Sequence, residues 1–142
     1  MSNDYLGSIV IKVYSLIIKE DKVLLLKKKK SNNTNGYWTL PFKTVDTYKD
    51  FNEECKNLVK EKTNLEINDH DVLVSIIHEN TYRDGIHFGV VSNDYDGDII
   101  ISDEYEKYAF VDTDLSSLNV YGESYKIIKK YSEYKGKGDI NG

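Results

Sequence analysis

Residues 48–63, YKDFNEECKNLVKEKT, form a segment of helical periodicity with segments typical of β-strands on both sides. The periodicity comes from four apolar residues that fall on one stripe of a helix: Phe51, Cys55, Leu58 and Val59. Asn64 follows as a plausible C-terminal stop. A helix between strands has to cover one face of the sheet that those strands form, so an α/β sandwich with a mixed sheet is expected.

The strand-like segments follow the usual signals of β-branched residues bounded by turn formers. Before the helix, a hairpin and a short strand are predicted in 8–18, 23–26 and 37–42. After the helix, three or four further sheet elements are predicted among 71–82, 86–91, 96–102 and 107–114. The lysines at 27–30 end a strand, so alternate ones are expected on opposite faces, where one could reach a phosphate or all could form a solvated edge.

A second helix is predicted at 122–134, GESYKIIKKYSEY, and the final residues KGKGDING are expected to be loose. No internal repeat and no Pro- or Ser-rich linker divides the 142 residues, which is the size of one ordinary domain. We therefore predict a single domain over 1–134 and a flexible C-terminal tail over 135–142.

Composition excludes several classes of function. The formal net charge of -5 argues against general nucleic-acid binding, which depends on a concentrated basic surface. The N-terminal apolar run is interrupted by Lys12 and is too short to span a bilayer, so no membrane association is expected. The single cysteine, Cys55, cannot form an internal disulfide and is expected to be a small buried apolar residue, and a cytoplasmic location is predicted.

The stretch 38–67, WTLPFKTVDTYKDFNEECKNLVKEKTNLEI, resembles without a gap the Nudix hydrolase signature, WxLPGG followed by Gx5Ex7REUXEExGU, where U is a bulky aliphatic residue. VYSLIIKEDKVLLLKKK also resembles the opening hairpin of that family, and HFGVVSNDYDGDIIISDEYEKYAFVDTDL resembles its later strands. The resemblance covers nearly the whole chain. It implies a Nudix-like α/β/α sandwich with a mixed β-sheet.

Several positions depart from the signature. Trp38, Leu40 and Pro41 are kept, but Phe42 and Lys43 stand where the signature has two glycines. The first glutamate of the signature is replaced by Lys49, and its arginine is replaced by Asn57. In the family this glutamate and this arginine pair with one another. Because both are replaced here, neither charge is left without its partner.

The metal-binding helix of the family reads REUXEE, and the corresponding residues 57–62 are NLVKEK. Glu61 is the acid that remains, whereas Leu58 and Lys62 replace glutamates one helical turn apart. Leucine offers no lone pair and an ammonium repels a divalent cation. Leu58 is instead expected to extend the apolar stripe of the helix. The resemblance with these changes implies a degenerate motif, no cofactor and loss of Mg²⁺-dependent hydrolysis.

The first hypothesis is that the protein is a non-catalytic binder or sensor of a nucleoside diphosphate derivative, of the ADP-ribose, NAD or nucleotide sugar type. The resemblance implies this ligand class and places Lys43, Lys49 and Lys62 at the border of the diphosphate site. Lysines can attract phosphate without a metal, although solvated surface lysines are the plain alternative. Tyr82, Phe88, Tyr108 and Phe110 could supply a ring that stacks on a base, although residues of this kind are more often part of the core.

Two alternatives remain open. In one, the protein is a working Nudix hydrolase in which Glu61 and a loop carboxylate, Glu104 or its neighbours Asp103 and Glu106, hold Mg²⁺ or Mn²⁺. In the other, it is a protein-interaction domain without a small ligand, whose function lies in a homodimer or a heteromeric interface.

Overall fold

The computed structural model describes residues 10–30, 36–45, 49–78 and 85–141, with the side chains of 73–78 and 136–141 left aside. The described residues form seven strands and two helices, in the chain order β1 Val10–Lys19, β2 Lys22–Lys28, β3 Trp38–Thr39, β4 Phe42–Val45, α1 Phe51–Thr63, β5 Glu66–His78, β6 Gly85–Asp96, β7 Tyr105–Val111 and α2 Gly122–Asn141.

Strand β1 lies at the centre of the sheet. It runs parallel to β6 and antiparallel to β4, and its last residues pair antiparallel with β2 across the hairpin. Strand β2 pairs antiparallel with β3 and β7, and β6 pairs antiparallel with β5. The sheet is therefore mixed, as the sequence predicts.

Side chains of β1 alternate between the two faces of the sheet. Tyr14, Leu16 and Ile18 pack in one cluster with Ile127, Ile128 and Tyr131 of α2. On the other face, Val13 packs with Cys55 and Leu58, and Ile17 packs with Val59, all from α1. The two helices thus cover opposite faces, which confirms the predicted α/β/α sandwich.

Helix α1 has well-formed ends. The Asp50 carboxylate accepts hydrogen bonds from the backbone N–H groups of Asn52 and Glu53, at 2.9 and 3.3 Å, and so caps the N-terminus. Asn64 adopts the left-handed conformation at φ 67° and its N–H donates to Lys60 O, which ends the helix. The predicted stop at Asn64 is confirmed.

The structure corrects three of the predicted elements. The segment 96–102 continues β6 for one residue only and then forms a loop, because the N–H groups of Ile100 and Ser102 donate to carbonyls of α1 rather than to a strand. The segment 37–42 is split into β3 and the start of β4 at Pro41, which has no N–H to donate.

The third correction concerns the C-terminus of the chain. Helix α2 continues to Asn141, beyond the predicted end at residue 134. No proline interrupts residues 122–141, so each further residue can donate its N–H to the carbonyl four positions before it. The predicted helix end is wrong, whereas the flexibility of 135–142 and the domain boundary at 134 stay predictions.

Candidate functional site

Three charged side chains meet where α1 ends, β2 ends and β7 is about to begin. The Lys62 ammonium, in the last turn of α1, donates a hydrogen bond to Oε1 of Glu104. The Lys28 ammonium, at the end of β2, donates to Oε2 of the same carboxylate at 3.2 Å. All three side chains are partly exposed. We call Lys28, Lys62 and Glu104 the lysine–glutamate cluster.

Backbone hydrogen bonds hold Glu104 in this position. The loop before β7 lies along the end of α1, where helical carbonyls lack partners within the helix. Ile100 N–H donates to Thr63 O at 2.9 Å and Ser102 N–H donates to Lys62 O at 3.1 Å. On the other side, Lys29 N–H donates to Glu104 O at 3.1 Å. The loop therefore satisfies the helix end and presents the Glu104 side chain to both lysines.

The electrostatics of the cluster favour an ionised glutamate. Burial alone would raise the pKa of Glu104, but the hydrogen bonds and charges of Lys62 and Lys28 outweigh it and lower this pKa to about 2. Two ammonium groups against one carboxylate leave the cluster with a net charge of about +1 at neutral pH. Both ammonium groups also lie over the Tyr105 ring, 5.4 and 5.9 Å from its centroid.

An aromatic stack lies on the face of the sheet that α2 covers and is linked to the end of β2 through Tyr37. Tyr37 and Tyr121 have ring centroids 5.3 Å apart, Tyr121 and Phe42 are stacked at 5.8 Å, and Phe42 and Tyr14 are stacked at 5.1 Å. Lys28 N–H donates to Tyr37 O at 2.9 Å, so the end of β2 joins the stack to the cluster. Tyr37, Phe42 and Tyr121 are half-buried, and the Phe42 ring lies between the rings of Tyr14 and Tyr121.

Tyr14 is the buried end of this stack. Its hydroxyl has no hydrogen-bond partner among the described residues, and burial, with a smaller contribution from Glu123, raises its pKa. Sequence reasoning missed the stack as a functional feature. The available signal was Phe42 in place of a signature glycine, which suggested an altered loop but not a ring that packs between two tyrosines.

The lysines predicted for the diphosphate site are not all brought together. Lys62 belongs to the lysine–glutamate cluster, but Lys43 forms an ion pair with Glu54 at 3.5 Å. Lys49 is exposed just before the N-cap of α1, and the 13 residue steps from 49 to 62 correspond to roughly 20 Å along a helix. The three lysines therefore do not meet at one end of α1, and their place at the border of a diphosphate site stays a prediction.

Phe88, one of the aromatic residues predicted to stack on a base, lies away from the lysine–glutamate cluster. Phe88 contacts Phe51 edge-on at 5.3 Å, near the start of α1, which corresponds to the packing alternative. Tyr82 lies outside the described residues. Cys55 is buried as predicted, and burial raises the pKa of its thiol to about 11.

The residues present do not fit the divalent metal that the signature implies. Leu58 is fully buried among Val13, Val45, Cys55 and Val90, so its predicted packing role is confirmed. Lys62 places an ammonium against Glu104, and Glu61 is exposed without a polar partner among the described residues. Across the described side chains, no group of three or more His, Cys, Asp or Glu residues is placed to hold a metal ion.

Comparisons with known proteins agree with the architecture. No protein-family model and no curated protein matches the sequence. Among solved structures, the MutT protein from Methanosarcina mazei Go1 is 23% identical with a TM-score of 0.74, over 89% of this chain and 95% of that protein. The MutT NUDIX hydrolase from Burkholderia pseudomallei is 14% identical with a TM-score of 0.73, over 86% and 97%.

A third similar structure is an Ap4A hydrolase from C. elegans, which is 17% identical with a TM-score of 0.66, over 90% of this chain and 98% of that protein. These likenesses show the fold. The chain is an α/β/α sandwich with a mixed sheet, and that sandwich is the Nudix fold. No helix within the described ranges has the length and apolarity needed to cross a membrane.

Proposed function

We propose that this protein binds a nucleoside diphosphate derivative, such as ADP-ribose, NAD or a nucleotide sugar, without a metal ion and without hydrolysing it. The observation that carries the proposal is the hydrogen bond from Lys62 to Glu104. The Lys62 ammonium lies beside the Glu104 carboxylate. A metal site there would need a further carboxylate in place of this ammonium.

Charge supports binding of an anion at this place. The lysine–glutamate cluster has a net charge of about +1, and two ammonium groups supply six N–H donors, of which the carboxylate uses only some. A diphosphate can accept hydrogen bonds from both lysines while Glu104 keeps them in position. Lysine binds phosphate as a point charge and needs no metal to do so.

The aromatic stack supports the nucleoside part of the proposal. The half-buried rings of Tyr37 and Tyr121 are the part of the stack that can contact a ligand, because Phe42 is covered by Tyr14 on one side and by Tyr121 on the other. Aromatic rings are common stacking surfaces for bases. A nucleotide that places its phosphates at the cluster would have its base on the side of Tyr37. Structural neighbours named as MutT proteins and an Ap4A hydrolase are consistent with a nucleotide-type ligand.

Thermal unfolding in EDTA with ADP-ribose, NAD or UDP-glucose tests the proposal. A ligand that binds the folded chain at 100 times its Kd stabilises it by about 2.7 kcal/mol, so one of the three should raise Tm by several degrees. Lys62→Gln should remove most of that rise. Lys60→Gln is the matched control, because Lys60 is on the same helix but is exposed and contacts Glu66 at 3.4 Å and the Asn64 carbonyl at 3.5 Å rather than Glu104. No rise with any ligand would favour the protein-interaction alternative.

Hydrolysis by Glu61 and Glu104 with Mg²⁺ or Mn²⁺ is the second candidate. Its support is that the structural neighbours with a stated activity are hydrolases, and that Glu61 is exposed and accessible to an ion from solvent. Chelator-sensitive cleavage of the same three compounds would favour it.

A homodimer and a cytoplasmic location are further proposals, which sedimentation and cell fractionation can test.

A further inference from the structure

A second cleft lies on the α1 face of the sheet, between the hairpin end of β1, the loop after β6 and the strand β7. Its volume is about 390 Å³, which is in the usual range for small-molecule sites. Its lining includes residues Lys19, Tyr95, Asp98, Tyr108 and Phe110, none of which belongs to the lysine–glutamate cluster or the aromatic stack.

Three of the eight residues that line this cleft are aromatic. Tyr95 is fixed by a hydrogen bond from its hydroxyl to Ile18 O at 3.2 Å, and Phe110 packs against the core that α1 covers. Tyr108 and Phe110 lie on the same face of β7. Phe110 is half-buried, whereas Tyr108 is 45% exposed. Three rings from two strands therefore surround a space in which a flat ring could pack, and one of them has a large free surface.

Lys19 supplies the charge of the cleft. Its ammonium lies 5.6 Å from the centroid of the Phe110 ring and forms no ion pair with a described residue. Asp98 is the acid in the lining, and its carboxylate would repel an anion placed beside it. An anionic group is therefore favoured next to Lys19 and disfavoured next to Asp98, which gives a ligand one preferred orientation.

We propose that this cleft is a second small-molecule site, for a planar aromatic ring that carries one anionic group. The ring packs against Tyr95, Tyr108 and Phe110, and the anion pairs with the Lys19 ammonium. The proposal does not depend on nucleotide binding at the lysine–glutamate cluster, because the two places share no side chain.

Titration of the ¹⁵N-labelled full chain with indole-3-acetate tests this site by NMR. Indoxyl phosphate has the same ring with a phosphate, and tryptamine has the same ring with a cation. We expect the amides of Gly97, Ile99 and Phe110 to shift with either anion, and the comparison of the two tells whether a carboxylate or a phosphate binds better. Tryptamine should bind about tenfold more weakly, because its ammonium faces Lys19.

Variants decide whether the cleft itself is responsible. Lys19→Gln should weaken binding of indole-3-acetate about tenfold, whereas Lys22→Gln, its pairing neighbour across the hairpin, should leave it unchanged. Lys62→Gln should also leave it unchanged. The proposal would be overturned if Lys19→Gln and Lys22→Gln bound indole-3-acetate equally well, or if the chemical shifts changed only in other parts of the chain. It would also be overturned if the same amides shifted without ligand as the protein concentration rises, because the cleft would then be a contact between two copies of the chain.

Discussion

Lysine at position 62 changes the chemistry that the end of α1 can perform. The Nudix signature has a glutamate there, and in this chain the side chain donates to the carboxylate of Glu104 instead of joining it as a metal ligand. Alignment with the signature identified Lys62 from sequence, whereas Glu104 was one of three candidate loop acids, together with Asp103 and Glu106. The contact between Lys28 and Glu104 was not predictable from sequence. It depends on a shift in the register of β2 and β7 between Lys27 and Lys28, which pairs Lys28 with Tyr105.

Glu104 makes the stability of the protein sensitive to acid. Folding lowers the pKa of Glu104 from its ordinary value of 4.5 to about 2, so the unfolded chain takes up this proton first as pH falls. The stabilising contribution is fully present above about pH 4.5 and is lost as pH falls through 2. Urea unfolding midpoints measured between pH 7 and pH 2 should therefore fall more steeply for the wild type than for Glu104→Gln.

Glu106→Gln serves as the control for this acid dependence. Glu106 pairs more loosely with Lys27, at 3.6 Å, two residues along the chain. Its midpoints should follow the wild-type curve. Parallel curves for the wild type and Glu104→Gln would mean that the two lysines do not hold Glu104 ionised.

Lys62→Glu should partly restore the binding of a divalent ion. The change removes the ammonium and places a carboxylate beside Glu104, next to Glu61 in the sequence. Carboxylate oxygens are the ligands that Mg²⁺ and Mn²⁺ prefer. We expect Mn²⁺ affinity, measured by calorimetry, to rise about tenfold or more. Lys60→Glu makes the same charge change on an exposed part of the same helix and should have little effect. A similar rise for both variants would indicate a general charge effect.

Helix α1 is the element that positions Lys62, and its N-terminus depends on one side chain. Asp50→Ala removes the acceptor for two otherwise unpaired N–H groups, which typically costs about 0.5–2 kcal/mol. The free energy of unfolding from urea titration measures this cost. Asn57→Ala, at an exposed position inside the same helix, should change it by less than about 0.5 kcal/mol. An equal loss for both variants would contradict the capping role.

Elements with a strong apolar period were the predictable ones. The stripe of Phe51, Cys55, Leu58 and Val59 predicted α1, and its packing on β1 and β4 follows from the same residues. The segment 96–102 was predicted as a strand from its three consecutive isoleucines, but Ile100 is 65% exposed and its N–H caps α1. Composition of a short segment does not reveal that its backbone donors are used by a distant helix end.

The whole molecule keeps its architecture because the packing positions and the chemical positions of the signature are different sets. β1 divides its side chains between two helices, and the packing on both faces of the sheet is made by apolar residues. Leucine at position 58 and lysine at position 62, where the signature has glutamates, therefore cost the sandwich little, and Leu58 adds apolar contact to it. For this reason the fold could be predicted from sequence, whereas the arrangement of Lys28, Glu104 and the aromatic stack required the tertiary structure.

A crystal structure of the protein grown with ADP-ribose and Mn²⁺ tests the central claim most directly, with anomalous scattering used to locate the metal. We predict the diphosphate within hydrogen-bond distance of the Lys28 and Lys62 ammonium groups, with no anomalous peak between it and Glu104. A Mn²⁺ ion bridging Glu61, Glu104 and the diphosphate, with Lys62 displaced, would contradict the claim.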